Sequence, residues 1–300
     1  MDSKTVIALI TTVFFWSSAF IGIRVGLNGY SPGSLALFRY LVASVVLIPL
    51  FFSLKKRQKM QGTDFFHFLL LGASGFAIYN IALNYGEISV PAGIASFIVG
   101  LIPVFTMFLA ILILNEKVTS KAWIGVGISF IGMVLIAAGE HAGIQFDIGV
   151  IYSLISAIAG SVYAVMQKPL FKRYHPIEIV TYSIWLGTAM MAFYLPALSA
   201  EMHTAPISST LACIYMGIFP SVISYALWSY ALSRAPASRA ATFLYAMPVI
   251  TTIMGYFYLK EIPAMLSLLG GIIALVGAII VNRRSLKRQK LIPTSKPITG

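Results

Sequence analysis

Apolar residues run almost unbroken along this chain for about twenty positions at a time, then stop at short polar breaks. A helix needs about 20 such residues to cross the hydrocarbon core of a bilayer. That ruler predicts ten helices, near 5–26, 33–53, 64–84, 91–114, 119–138, 148–168, 177–198, 210–231, 237–259 and 263–282. Many breaks carry a proline at the expected start of the next helix: Ser31-Pro32, Val90-Pro91, His175-Pro176, Ala235-Pro236 and Ile262-Pro263. Helix starts tolerate proline because the first amide hydrogens have no partner within the helix. The first run has full spanning length rather than that of a signal core, so it is expected to stay as the first helix.

Composition agrees with lipid as the solvent. Of the 300 residues 59% are apolar and only 10% charged, against about a quarter charged in soluble domains. The single cysteine, Cys213, excludes an internal disulfide framework and a multi-cysteine metal site. No cofactor motif or nucleotide-binding loop is visible, which argues against direct ATP drive.

The net charge of +12 changes the picture only through its placement. With the N-terminus in the cytoplasm, every Lys and Arg except Arg24, Arg39 and Lys260 falls in an inner loop or the C-terminal tail. The outer loops instead hold Glu87, Glu140, Asp147 and Glu201. Basic clusters beside apolar helices are topology signals facing the anionic cytoplasmic leaflet. The expectation is a multi-pass cytoplasmic (inner) membrane protein with both termini inside, touching membrane lipids and no nucleic acid.

The second half repeats the first. At an offset of 145, Tyr85 meets Tyr230, Pro91 Pro236, Ala92 Ala237, Pro103 Pro248, Glu116 Glu261, Gly125 Gly270 and Gly132 Gly277. Earlier in each half an offset of 144 aligns Ser17 with Ser161, Arg24 with Lys168 and Pro32 with Pro176. A unit with an odd number of helices enters the membrane from the other side in its second copy. The organisation expected is therefore a first five-helix unit at 1–145, a second, inverted one at 146–284 and a flexible basic tail at 285–300. Inverted repeats are an architecture of secondary transporters, with the site near the midplane between the repeats.

The pattern resembles the EamA-type family of the drug/metabolite transporter superfamily over nearly the whole chain. Its most specific pieces are Trp16-Ser17, Arg39-Tyr40, and a block used twice, as Pro91, Ala92, Pro103, Glu116 and as Pro236, Ala237, Pro248, Glu261. The resemblance implies ten helices, cytoplasmic termini and transport, chiefly export, of amino acids or related metabolites. It leaves the metabolite and the coupling ion open.

Polar residues that share helix faces outline a site, because a polar atom facing lipid has no water to bond. Trp16, Tyr79, Tyr163, Tyr225 and Tyr245 are candidates to line an aromatic cavity, with Asn80 and nearby serines orienting a substrate; ordinary packing or an interfacial belt would use the same residue types. Trp228 and Tyr230, near the inner boundary, read as belt residues. Arg39 lies within helix two, where two roles are open. It could anchor a substrate carboxylate or phosphate through its planar fork, or snorkel to the outer headgroups, the role its long stem favours. Arg24 reads as interfacial, and Glu116 and Glu261 as loop closures or caps. Mid-helix Pro103 and Pro248 each remove a backbone hydrogen bond and predict equivalent kinks, candidate hinges for opening alternate sides.

No carboxylate sits deep in a predicted span, so a proton relay is not visible, and no catalytic or metal-binding residue stands out. The four histidines, His67, His141, His175 and His203, are scattered over both sides. A membrane-embedded enzyme acting on a lipid-linked substrate, the alternative to a small-molecule transporter, would cluster such groups at one face. One copy holds a complete site in this reading, so a monomer suffices.

Overall fold

The structure, a computed structural model, describes residues 2–54, 57–102, 104–106, 108–109, 120–139, 147–234 and 242–289. Among the described residues every regular element is helical. α1 (Ser3–Gly26) starts where the Asp2 side chain accepts a hydrogen bond from Thr5 N at 3.3 Å. α2 (Pro32–Ser53) carries its proline in the first turn. α3 (Phe65–Gly72) and α4 (Tyr79–Gly86) form one span through a π-helical turn, Ala73–Ile78. α5 (Ala92–Val99) is capped by Pro91 and α6 covers Ser120–Gly139.

α7 (Ile148–Met166) is capped by Asp147, which accepts from Gly149 N at 2.6 Å. α8 (Pro176–Met190) begins with a capping box in which Glu178 Oε2 accepts from His175 N at 2.7 Å. α9 (Leu195–Met202) follows a 3₁₀ turn at an angle of 45° to α8. α10 (Ile207–Ile218) and α11 (Ser224–Arg234) flank a second π-helical turn, Phe219–Ile223. α12 (Met247–Met254) follows the 3₁₀ turn Thr242–Ala246, and α13 covers Met265–Gln289. Five helical stretches are long and apolar enough to cross a bilayer among the described residues, and the bent α8–α9 pair makes a sixth span if counted as one. The chain is a multi-pass membrane protein.

Three sequence expectations change. The span expected at 177–198 breaks near 191, because Pro196 in the first turn of α9 supplies no amide hydrogen to continue α8. Pro248 is not mid-helix: it occupies the first turn of α12, at the join with the 3₁₀ segment, where no amide partner is lost. The basic tail expected from 285 begins as helix, since α13 runs on to Gln289. Pro103 and Glu116 lie outside the described residues.

Lipid gives helices no hydrophobic drive to associate, so close approach of small residues holds them. α6 and α13 show this most clearly. A Cβ on Gly132 would stand 2.5 Å from Gly270 O, and one on Gly277 would stand 2.5 Å from Gly125 O. Between these points Ser129 Oγ donates to Ala274 O at 3.1 Å. Under the offset of 145 the two glycine contacts are each other's counterparts, and Ser129 bonds the carbonyl of its own counterpart position. The two π-helical turns, 73–78 and 219–223, also fall at equivalent positions under that offset.

Candidate binding cavity

The two π-helical turns frame the cavity. A π turn inserts an extra residue into the helix, a distortion that recurs at functional sites. The first carries Phe76 and is followed at once by Tyr79 and Asn80; the second carries Ser221 and precedes Tyr225. Phe76 is fully buried, and its ring meets Tyr40 at 5.4 Å, Tyr163 at 5.3 Å and Tyr225 at 5.8 Å between centroids. Trp16 adds contacts to Tyr225 at 5.3 Å and Trp228 at 5.4 Å, while its indole Nε1 donates to Pro220 O at 3.1 Å. Gly75 leaves room for the Tyr163 ring, which a Cβ there would strike.

These rings surround a cavity of about 230 Å³ between helices of both sequence halves. That volume is below the ~300–1,000 Å³ usual for sites of drug-sized ligands. Its wall includes Trp16, Arg39, Tyr79, Tyr163, Tyr225 and Tyr245, six of the seven residues singled out from sequence. A wider cleft of about 780 Å³ lies beside Arg24, Tyr30, Glu201 and Glu261 at the loop ends. That cleft is the more open and polar of the two, whereas the inner cavity is more closed and holds a buried cation, which makes the inner one the candidate.

Arg39 does not snorkel. It is 6% exposed, its Nε donates to Ser221 Oγ at 2.8 Å and its Nη1 to Asn80 Oδ1 at 3.1 Å. Its guanidinium carbon lies 5.3 Å from the Tyr40 ring centroid. Neutral partners thus orient the fork but do not neutralise it. Neither of the ion pairs Arg24–Glu261 and Arg173–Asp64 involves it, and its Nε and Nη1 bonds both go to neutral groups.

The remaining candidates divide by what their polar atoms already do. Asn80 is off the cavity wall: its amide donates to Phe76 O at 2.8 Å while its oxygen holds Arg39, so both ends are used inside the protein. Tyr245 presents its ring to the cavity but donates its hydroxyl to Ala278 O at 3.1 Å. Tyr163 is 8% exposed and its hydroxyl has no partner among the described residues. Trp228, expected in an interfacial belt, belongs to the wall instead. Sequence reading missed Ser221 as a partner of Arg39, because 182 residues separate them.

The outer loops also depart from expectation. Arg24 is not a free interfacial cation: Nε donates to Glu261 Oε1 at 2.6 Å and Nη1 to the carbonyls of Glu87 and Ile88. Glu261 Oε2 accepts from Ala92 N at 2.9 Å, so one carboxylate ties α1 to the start of α5. Glu87, expected in a wet loop, is fully buried with both carboxyl oxygens lacking a hydrogen-bond partner among the described residues. Burial raises its pKa well above the usual carboxylate value, an effect Arg24 opposes and Glu261 reinforces.

Similarity to known proteins agrees with this architecture. The sequence profile of the EamA-like transporter family matches twice, over residues 3–138 and 147–283. The chain belongs to the EamA-like transporter family and is a transporter of that family. It is 37% identical over 289 residues to a protein of Streptantibioticus cattleyicolor named "Probable terminal-alkyne amino-acid exporter", covering 96% of each chain. It is 39% identical over 297 residues to "Uncharacterized transporter YdfC" of Bacillus subtilis, covering 98% of this chain and 97% of that one. A solved crystal structure shares the fold with a TM-score of 0.63 at 18% identity, over 97% of this chain and 99% of the other.

Proposed function

We propose that the protein is a secondary transporter that exports amino acids or closely related small metabolites across the cytoplasmic membrane by alternating access. The observation that carries this reading is the aromatic cavity of about 230 Å³ with the buried Arg39 in its wall. Its lining comes from both segments that match the family, as expected of a site between repeats. The S. cattleyicolor relative named "Probable terminal-alkyne amino-acid exporter" supports the substrate class, and family and relatives alike argue for transport rather than enzymatic turnover.

In this reading two inverted five-helix units, 1–145 and 146–284, rock about the cavity, with both termini in the cytoplasm. The reciprocal glycine contacts of α6 and α13 support such a two-fold relation. Pro248, at the join of the 3₁₀ turn and α12, serves as the hinge of the second unit. The cavity wall reaches Gln167, Phe171 and Pro176, on the side assigned to the cytoplasm, while Arg24–Glu261 ties the opposite face. That combination supports an inward-facing state.

Counterflow in proteoliposomes tests the proposal. Vesicles loaded with each of a panel of unlabelled amino acids are followed for entry of the labelled solute. Saturable exchange, lost in a folded Tyr163→Ala variant, is the expected result. Absence of exchange across the panel by folded protein refutes the amino-acid reading.

A further inference from the structure

We infer that the cavity recognises its substrate through a carboxylate alone, so that small apolar monocarboxylates without an amine occupy it as well as amino acids do. The inference rests on the transporter reading of the same cavity and names the chemistry that reading leaves open.

A guanidinium taken from water into a protein interior is stable only when its charge is answered. Ser221 and Asn80 occupy Nε and Nη1 of Arg39, and both are neutral. Among the described residues no Asp or Glu lines the cavity. Buried Glu87 feels the Arg39 charge, but it makes no hydrogen bond to it and burial raises its pKa. The positive charge therefore remains for whatever enters, with Nη2 the nitrogen that Ser221 and Asn80 leave unused. A carboxylate suits a guanidinium held in a fixed plane, since its two oxygens match the fork. The Tyr163 hydroxyl, buried and without a partner among the described residues, supplies a further donor in the same wall.

The opposite end of an amino acid finds no such answer. Its ammonium would need a carboxylate, and among the described residues the wall holds none. The rings of Trp16, Tyr225 and Trp228 offer a cation a face, but an α-ammonium lies beside the carboxylate and so close to the Arg39 charge, which repels it. The amine is thus tolerated rather than read. The rest of the wall is apolar, including Ala19, Ile23, Val99 and Ile102. That surface selects a short hydrocarbon side chain, and the volume of about 230 Å³ excludes a lipid acyl chain.

The test uses three probes of matched carbon skeleton: norleucine, hexanoate (the amine removed) and pentylamine (the carboxylate removed). Binding to the full-length protein in detergent is read by quenching of tryptophan fluorescence, since Trp16 and Trp228 line the cavity. Reading binding avoids the passive leak of organic acids through vesicles. Hexanoate is expected to displace norleucine at similar concentration, and pentylamine to fail at about 100-fold more. Arg39→Gln should weaken both carboxylates by about 10- to 100-fold, the loss of a charge-assisted hydrogen-bonded pair.

Displacement by pentylamine, or no displacement by hexanoate while norleucine binds, overturns the inference and leaves the amino-acid reading standing. Failure of norleucine and of every other amino acid to bind or exchange overturns both. If Arg39→Gln does not fold, the three probes on the native protein still decide, and Ser221→Ala, which keeps the charge but loosens the fork, should weaken hexanoate and norleucine equally. Unequal weakening would show that the amine is read and would sink the proposal.

Discussion

The guanidinium of Arg24 donates to the Glu261 carboxylate at 2.6 Å, joining the end of the first helix to a loop 237 residues further along. Both side chains are largely shielded, at 30% and 13% exposure, so the pair is screened less than a surface bridge. Glu261→Gln should therefore destabilise the protein, and so should Arg24→Gln. The double variant should lose less than the sum, with a coupling of about 0.5–3 kcal/mol, because each single change strands the other partner. Thermal melts of the four proteins in detergent measure this cycle. Simple additivity would mean that the pair contributes nothing to holding this face closed.

Tyr163→Phe separates a binding role from a packing role. The hydroxyl has no partner among the described residues, so its removal strands nothing and keeps the ring against Phe76. Thermal stability should hold or rise slightly, whereas substrate affinity should fall by about 0.5–1.5 kcal/mol, the worth of one neutral hydrogen bond. Unchanged affinity in a binding titration would remove Tyr163 from the contacts with substrate.

The glycine pairs of α6 and α13 predict a reciprocal pattern. Gly132→Ala and Gly277→Ala each force a methyl against backbone of the facing helix. Each should cost about 1–3 kcal/mol through overpacking. Gly127 lies on the same helix with nothing near its Cβ position, so Gly127→Ala should be neutral or stabilise by about 0.5–1 kcal/mol. Unfolding midpoints of the three variants distinguish a packed seam from general intolerance of the helix.

Glu87 predicts a pH dependence. Its carboxyl titrates well above the ordinary value of 4.5 in the folded protein, because burial disfavours the anion. Above 4.5 the unfolded chain releases this proton while the folded chain keeps it. Stability should consequently fall as pH rises from 4.5 through the raised folded value, and level off above it. Glu87→Gln should flatten that slope and be the more stable protein at alkaline pH. An unchanged slope would assign the pH dependence to other groups.

Much of the fold was legible without coordinates. Where spans are described in full, as at α1 and α2, the apolar runs locate them to within two residues of the expected start, because bilayer thickness dictates length and proline marks the starts. Paired polar faces pointed to Trp16, Tyr79, Tyr163, Tyr225 and Tyr245, since a polar group in lipid must turn inward whatever it later bonds. The break between α8 and α9 was written in Pro196 but hidden by the unbroken hydrophobicity around it.

What sequence by itself determined was membrane insertion, helical class, the repeat and the inward faces, all of which follow from periodicity, length and solvent. Tertiary structure alone decided the role of each polar atom. Arg39 turned inward rather than to the headgroups because Ser221 and Asn80, distant in sequence, meet it there. Asn80 and the Tyr245 hydroxyl were drawn into internal hydrogen bonds and Tyr163 was left unpartnered among the described residues. Glu87 and Arg24 were taken out of the water that their loop positions implied. Residue type sets which bonds a side chain can make, but which it makes depends on partners that only the packing of distant helices brings within about 3 Å.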